Sequence, residues 1–208
     1  MTDAFQSTDH GSDNRLRRAV LIVALLNLAY GLGEAIIAQR IGSVSLFADS
    51  VDFFEDASVN LLIFFALAWS LRTRARIGMA MAGILLIPAL AGLWVAIQKV
   101  LAPVPPDAFA LGLTGLGALI INLSCAFLLA AHRTKGGSMA KAAWLSARND
   151  AFANAAIIAA GIVTAFVWRS GWPDLIVGVG IAWLNADAAH AVWTAARSEH
   201  RASLRPLA

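Results

Sequence analysis

The chain has 208 residues, of which 59% are hydrophobic and 14% charged, and this composition excludes an ordinary soluble domain. Several apolar runs reach the roughly 20 residues that a helix needs to span a bilayer, so we predict an integral membrane protein. The single cysteine, Cys125, excludes a disulfide framework or a cysteine metal cluster within one chain. A net charge of +3 does not indicate nucleic-acid binding, because the basic residues lie mainly in short loops and at the termini.

The predicted fold is an all-α membrane protein, a bundle of six transmembrane helices. The polar residues 1–14 are expected to be a disordered lead, because they cannot bury enough apolar surface to fold alone. A transmembrane domain over 15–197 and a short cytoplasmic tail over 198–208 follow. The expected spans are residues 19–38, 44–69, 77–101, 109–131, 142–168 and 175–196.

The distribution of Lys and Arg predicts the orientation of this bundle. Twelve of them lie in the N-terminal segment, the loops at 72–76 and 133–141, and the C-terminal segment. Three lie in the opposite loops, namely Arg40, Lys99 and Arg169. Because cytoplasmic loops carry the excess of positive charge, both termini are predicted to be cytoplasmic.

The second predicted span holds four carboxylates within the eight residues 49–56 and runs into an apolar segment without a turn signal. On a helix, Asp52 and Asp56 share one face. The same stripe continues through Ser45, Asp49 and Asn60. Ionised groups in a span normally face a bundle interior with a positive partner, and a bound cation is the partner we expect. The alternative, for Asp49 or Glu55, is an acid at the membrane surface or in its neutral form.

The fifth predicted span has a second polar face, since Ser146, Asp150 and Asn154 are separated by fours. If this face meets that of the second span, three carboxylates and a hydroxyl surround one point. Such an oxygen-rich set suits a divalent cation, with a preference for harder ions than a His or Cys site would show. Seven of the thirteen acids fall within spans against one basic residue, Arg148, apart from Lys99 at the end of the third span, and this imbalance favours transported positive charge.

These motifs resemble the transmembrane domain of the cation diffusion facilitator family of divalent metal/proton antiporters, from the first span to the sixth. The resemblance is carried by EA at 34–35, GSVSLFADSVDFFED at 42–56 and NDAFAN at 149–154. It implies a metal site built from pairs of residues four apart on the second and fifth helices. The matching positions are Asp52, Asp56, Ser146 and Asp150, with Asp49 and Asn154 as weaker candidates.

The chain departs from the family's pattern at the implied site. Ser146 stands where many zinc-transporting members have histidine, and Asp52 stands where some members have histidine. No imidazole is therefore expected at the site, and the transported ion stays open among Zn, Mn, Co, Fe and Cd. The family usually adds a cytoplasmic metal-binding domain after the sixth helix, whereas here we expect the transmembrane domain only. Whether the protein forms a homodimer stays open.

The resulting hypothesis is a divalent metal cation efflux transporter that exchanges metal for protons. We expect no enzymatic activity and no tightly bound cofactor, with membrane lipid, the metal ion and protons as partners and no nucleic acid. The expected location is the bacterial inner membrane. One alternative is an intramembrane metal-dependent hydrolase, which is weaker because no histidine lies near the Asp52/Asp56 pair. Another is a non-transporting partner subunit of the same fold.

Four further polar residues have no assigned role at this stage, namely Glu34, Arg148, Asp187 and His190. Arg148 is expected to pair with Glu55 or Asp49, with snorkelling toward the cytoplasm as the alternative. His190 and Asp187 can share a face of the sixth span, where a hydrogen bond that packs helices is expected rather than a metal ligand.

Overall fold

The computed structural model describes residues 3–66, 90, 92–130 and 137–184, with side chains from Arg17 onward except at 62, 63, 66, 130 and 137–149. Within these residues the chain is helical and no strand occurs, which confirms the all-α class. The described helices are α1 (Asp3–Ile41), α2 (Val44–Ala66), α3 (Gly92–Leu101), α4 (Ala108–Ala130), α5 (Gly137–Phe166) and α6 (Trp172–Leu184).

Two helices of the described chain, Arg17–Ile41 and Ala108–Leu129, are long and apolar enough to cross a membrane, with mean hydropathies of 2.1 and 1.9. Shorter apolar helices cover Gly92–Leu101, Asp150–Phe166 and Trp172–Leu184. The sixth helix begins at Trp172 rather than at the expected residue 175, because Pro173 is tolerated in the first turn of a helix. Most of the expected third span and the sixth span beyond 184 lie outside the described residues, so six spans and cytoplasmic termini stay predictions.

The first helix starts earlier than the sequence suggests. Residues 3–14 were expected to be disordered, whereas α1 begins at Asp3 and continues without a break into the apolar segment. Extending a helix that is already nucleated adds one hydrogen bond for each residue that is fixed, so a polar segment can continue a neighbouring span without a core of its own.

The helices pack as two pairs that meet through α1 and α4. The most extensive contacts join α1 to α2 and α4 to α5, while α2 touches α5 over a smaller area. Small residues allow the close approach of α4 and α5: a Cβ added at Gly115 would lie 2.9 Å from Cγ2 of Ile157. This agrees with the small-residue surface that glycines give the fourth helix, a common packing device in membranes.

An apolar layer lies where five helices meet, and its members are buried. They are Ala38 of α1, Leu46, Phe47 and Ala48 of α2, Leu111 of α4, Ile157 and Ala160 of α5, and Ile181 of α6. Large apolar side chains also cover the outside of the bundle, where Phe109 is 80% exposed and Phe166 is 84% exposed. An apolar exterior around a small core is the pattern of a protein whose surface meets lipid.

The turn between α1 and α2 is fixed by backbone geometry. Gly42 has φ 65°, a left-handed conformation that costs glycine little, and the Ser43 N–H donates to the carbonyl of Ala38 at 2.9 Å. This is the hydrogen bond of a Schellman C-cap, which ends α1. Ser43 is then the N-cap of α2, because its Oγ accepts from the N–H of Leu46 at 3.2 Å.

The end of the bundle that contains this turn, here called the turn end, is built from residues 41–43, 102–107 and 167–171. The Gly171 N–H donates to the carbonyl of Pro103 at 3.0 Å, which joins the second of these segments to the third. Just beyond it lies Asp174 in the first turn of α6, with none of its surface exposed. The turn end is thus a connected layer of backbone and side-chain hydrogen bonds.

Asp174 is the centre of that layer. One carboxylate oxygen, Oδ2, accepts from the Val44 N–H at 2.8 Å and from Nζ of Lys99 at 3.2 Å. The other, Oδ1, accepts from the Ser45 N–H at 3.2 Å and from the hydroxyls of Ser43 and Ser45 at 2.7 and 2.6 Å. Lys99 also donates to the carbonyl of Gly42. We call these residues the Asp174 network: Ser43, Val44, Ser45, Lys99 and Asp174.

Candidate metal site

The acidic stripe predicted for the second span lies on α2, where its members differ in burial. Asp49 is 1% exposed, whereas Asp52 and Asp56 are partly buried. Asn60 is buried and its Nδ2 donates to the backbone carbonyl of Asp56 at 2.8 Å, which leaves its amide oxygen directed away from that bond. The stripe therefore runs from a fully buried carboxylate near the apolar layer to more accessible ones farther along α2.

Glu34 of α1 is the residue across from the buried part of this stripe. It is 1% exposed, and its carboxylate interacts electrostatically with those of Asp49 and Asp52. Apart from each other, the two carboxyl groups have no hydrogen-bond partner among the described residues. Buried carboxylates are normally paired, protonated or bound to a metal, so this pair is a candidate position for a proton or a cation.

Asp150 of α5 lies opposite the acids of α2. Its carboxylate is within electrostatic range of Asp56, Asp49 and Glu55, in that order of influence. Asn154, one turn further along α5, is fully buried, and its Nδ2 donates to the backbone carbonyl of Asp150 at 2.8 Å. Its Oδ1 has no donor among the described residues.

The amides on the two helices are placed alike. Asn60 and Asn154 each donate to the carbonyl of the aspartate four residues earlier, at 2.8 Å in both cases. Such a bond holds the amide along its own helix, so that the remaining amide oxygen is available as a neutral ligand or acceptor. Each amide thus lies one helical turn after its aspartate and is bonded to that residue's backbone.

The basic side chains that the structure describes are Arg17, Arg18, Arg40, Lys99 and Arg169. Arg17 and Arg18 come just before the apolar segment of α1, and the other three lie near helix ends. Lys99 is committed to Asp174 at 3.2 Å, and the guanidinium of Arg17 lies 5.0 Å from the ring centre of Phe64. Within the described part of the chain, no basic group thus neutralises the pair formed by Glu34 and Asp49.

The predicted ligands do not all lie close together in the described part of the chain. No group of three or more His, Cys, Asp or Glu side chains there lies close enough to hold one metal ion. The backbone of Ser146 lies in α5 one turn before Asp150, but its side chain lies outside the described residues, as does that of Arg148. Asn185, Asp187 and His190 also lie outside them.

Two features of this region were not assigned from the sequence. Glu34 shares a helical face with Asn27 and Tyr30, but only the packing of α1 against α2 shows that it meets Asp49. Asp174 lies just outside the expected sixth span, 175–196, and no periodic pattern links it to Ser43 or Lys99. A signal was present in Ser43 itself, since Gly-Ser before a helix is typical of a C-cap followed by an N-cap.

These observations define a class of protein: a helical protein with an apolar exterior and with carboxylates from several helices in the interior of its described part. The sequence pattern of the cation efflux transmembrane domain matches residues 20–196, which is most of the chain. No curated protein matches the chain closely enough to count as a relative.

The chain belongs to the cation efflux family, as the resemblance of its motifs predicted. It is therefore an integral membrane protein and a metal cation efflux transporter, with metal ions as its substrates. Members of this family are transporters and not enzymes, which confirms the expectation for this chain and removes the hydrolase alternative.

Proposed function

We propose that this protein exports a divalent metal ion from the cytoplasm in exchange for protons, at a site formed between α2 and α5. The observation that supports the proposal best is that the carboxylate of Asp150 lies within electrostatic range of the acids of α2. No basic partner of Asp150 is found among the described residues. Several buried negative charges in a membrane are unfavourable unless a cation neutralises them. Binding of the transported cation therefore lowers the free energy of the site.

The proposed ligands are Asp52 and Asp56 on α2 and Ser146 and Asp150 on α5. Asp49 and Asn154 are weaker candidates. Carboxylate, hydroxyl and amide oxygens are the ligands of hard divalent ions, which favours Mn²⁺ over ions that prefer nitrogen or sulfur. Because these ligands come from two helices with a small shared contact area, we propose that α2 and α5 close on the ion when it binds.

Exchange with protons follows from the chemistry of the same oxygens. A carboxylate must be deprotonated to bind a metal ion, so metal and protons compete for the site. A carrier that moves the site between the two sides of the membrane then carries either the metal ion or protons, which couples the two fluxes. Glu34 and Asp49 are part of this charged interior, and we propose that they share in carrying positive charge.

The burial of the candidate residues suggests which side the site faces. Leu46, Leu111 and Ile157 of the apolar layer are fully buried and lie toward the turn end, as does Asp49. Asp52, Asp56 and Asp150 are less buried and lie away from it. With the orientation expected from the positive residues, the ion would enter from the cytoplasm in this conformation.

The test is metal flux through the purified protein in sealed vesicles, measured for Zn, Mn, Co, Fe and Cd. We expect uptake of at least one ion that rises with a proton gradient of opposite direction. Empty vesicles and vesicles with the Asp150→Ala variant are the controls. Metal flux that is indifferent to the proton gradient would argue against antiport, and absence of flux for all ions would favour a non-transporting partner subunit. The bacterial inner membrane is the proposed location.

A further inference from the structure

We infer that Asp174 is a positioning residue for transport, because it fixes how α2 presents its carboxylates to α5. The inference rests on the proposed function, since it concerns the same face of α2. Asp174 is one of the buried carboxylates of the described chain, but it differs from Glu34 and Asp49 in that both of its oxygens are fully engaged.

The geometry of the cap constrains α2 in two ways. The two oxygens of one carboxylate receive the N–H groups of consecutive residues, Val44 at 2.8 Å and Ser45 at 3.2 Å. Bonds along the helix axis fix its axial position, and two bonds at different angles around the axis fix its rotation. A carboxylate at a helix N-terminus is favoured both by the unpaired N–H groups and by the helix dipole.

The backbone of α6 reinforces this constraint. A Cβ added at Gly178, one turn beyond Asp174, would lie 2.7 Å from the Ser45 nitrogen and from the Val44 carbonyl carbon. The start of α2 therefore rests directly on α6, and only glycine leaves room for it there. Asp174 and Gly178 together form a seat for the first turn of α2.

The first turn of α2, which Asp174 and Gly178 contact, lies on the same helix as the proposed ligands Asp52 and Asp56. Asp52 lies seven residues after Ser45, or roughly 10 Å along a helix that rises 1.5 Å per residue. Ligands must be held within a fraction of an ångström of their productive positions, so a shift or rotation at the first turn is transmitted to Asp52 and Asp56. In metal sites, loss of the groups that orient the ligands typically weakens affinity by about 10- to 100-fold.

Lys99 has a separable role in the network. It comes from the end of α3, pairs with Oδ2 of Asp174 at 3.2 Å and also reaches the carbonyl of Gly42. Its ammonium balances the buried charge of Asp174, whereas of these two residues only Asp174 accepts hydrogen bonds from the backbone of α2. Removal of Lys99 leaves these two bonds in place beside the Ser43 N-cap, whereas removal of Asp174 leaves α2 with the Ser43 N-cap only.

The experiment compares three variants of the full chain in lipid nanodiscs: Asp174→Asn, Lys99→Met and the double variant. The double variant leaves no unpaired buried charge and so keeps the measurement valid if Asp174→Asn alone does not fold. Binding of Mn²⁺ and of Zn²⁺ is measured by calorimetry. A distance between spin labels reports the position of α2 relative to α5, with Val59→Cys and Phe152→Cys in a Cys125→Ser background. Both labelled positions are exposed.

The matched control is Asp107→Asn. Asp107 also caps a helix at the turn end, since its Oδ1 accepts from the Ala110 N–H at 2.7 Å, but it is exposed and belongs to α4. We expect Asp174→Asn and the double variant to weaken metal affinity by about 10- to 100-fold and to shift or broaden the distance distribution. Lys99→Met is expected to change affinity less than about threefold, and Asp107→Asn to change neither measurement.

Recovery of wild-type affinity and distances in the double variant would overturn the inference, because it would mean that only the balance of charge matters. Equal effects of Asp107→Asn and Asp174→Asn would overturn it as well. The spin-label distances are measured on the metal-free protein and so do not require metal binding. A wild type without metal binding or flux would therefore refute the proposed function, while an unshifted α2 in Asp174→Asn would refute the positioning role.

Discussion

Asp49 and Asp174 are both buried carboxylates beside the start of α2, with 1% and 0% of their surfaces exposed, yet their surroundings are opposite. Asp174 accepts from two backbone N–H groups, two hydroxyls and an ammonium. Asp49 and its neighbour Glu34 receive no donor from the described residues. A carboxylate whose oxygens are all engaged holds helices together, whereas the proposed function gives Glu34 and Asp49 a share in carrying positive charge.

The difference matters because burial alone does not distinguish the two kinds of site. A buried carboxylate is energetically unfavourable in a membrane unless positive charge or hydrogen-bond donors offset its desolvation. In the Asp174 network these partners are permanent parts of the chain. At Glu34 and Asp49, for which no donor from other described residues is found, the proposed function has them arrive with the metal ion or with protons.

The largest effect is expected from removing carboxylates of the acidic faces. Asp52→Ala, Asp56→Ala and Asp150→Ala should each abolish metal flux in vesicles while the protein still inserts, because each removes an oxygen ligand from the cation. The exposed Asp107→Ala variant serves as the control and should retain flux. Wild-type flux in any two of the three variants would refute the assigned site.

A second prediction concerns stability in the absence of metal, where the two kinds of carboxylate should respond differently. Asp174→Asn leaves Lys99 buried without its partner and should lower the free energy of unfolding by about 3–5 kcal/mol. Glu34→Gln removes an acid that has no described donor, so stability should change by less than about 1 kcal/mol or increase. Metal flux should nevertheless fall in Glu34→Gln.

Denaturant unfolding of both variants in the same detergent checks this prediction. The wild type and Asp107→Asn provide the reference transitions. If Glu34→Gln were as destabilising as Asp174→Asn, then Glu34 would have structural partners beyond the described residues, and the contrast between the two kinds of site would not hold.

The same contrast explains how much could be predicted from the sequence. The acidic stripe of α2, the polar face of α5 and the family follow from periodicity and motif, because residues three or four apart share a helical face whatever the tertiary structure. The pairing of Asp174 with Ser43 and Lys99 joins residues 131 and 75 positions apart, so only the packing of helices reveals it. Glu34 shares a helical face with Asn27 and Tyr30, but its nearness to Asp49 depends on the contact of α1 with α2.

A third prediction concerns the effect of pH on metal affinity. Metal affinity should fall on acidification from neutral to mildly acidic pH, because protons and metal compete for Asp52, Asp56 and Asp150. Calorimetric titration at several pH values measures this change, and the number of protons released on binding gives an independent check. Affinity that is constant across this range would count against antiport at these residues.

The smallest and most specific effect is expected at Ser146, whose backbone lies in α5 one turn before Asp150. A serine hydroxyl is a weak, neutral oxygen ligand, so the wild-type site should discriminate poorly against hard ions such as Mn²⁺. Histidine at this position would supply the nitrogen that tetrahedral zinc sites favour. Ser146→His should therefore raise the preference for Zn²⁺ over Mn²⁺ about tenfold, which corresponds to about 1.4 kcal/mol.

Competitive flux of Zn²⁺ and Mn²⁺ in vesicles measures this preference, and Ser146→Ala is the control because it removes the hydroxyl without adding a nitrogen. The control should leave the ratio of the two fluxes close to that of the wild type, since water can replace a neutral oxygen ligand. If Ser146→His still transports but its ratio is unchanged, position 146 does not face the ion. The ligands of α5 would then be limited to Asp150 and Asn154. The Nδ2 of Asn154 donates to the backbone carbonyl of Asp150 at 2.8 Å.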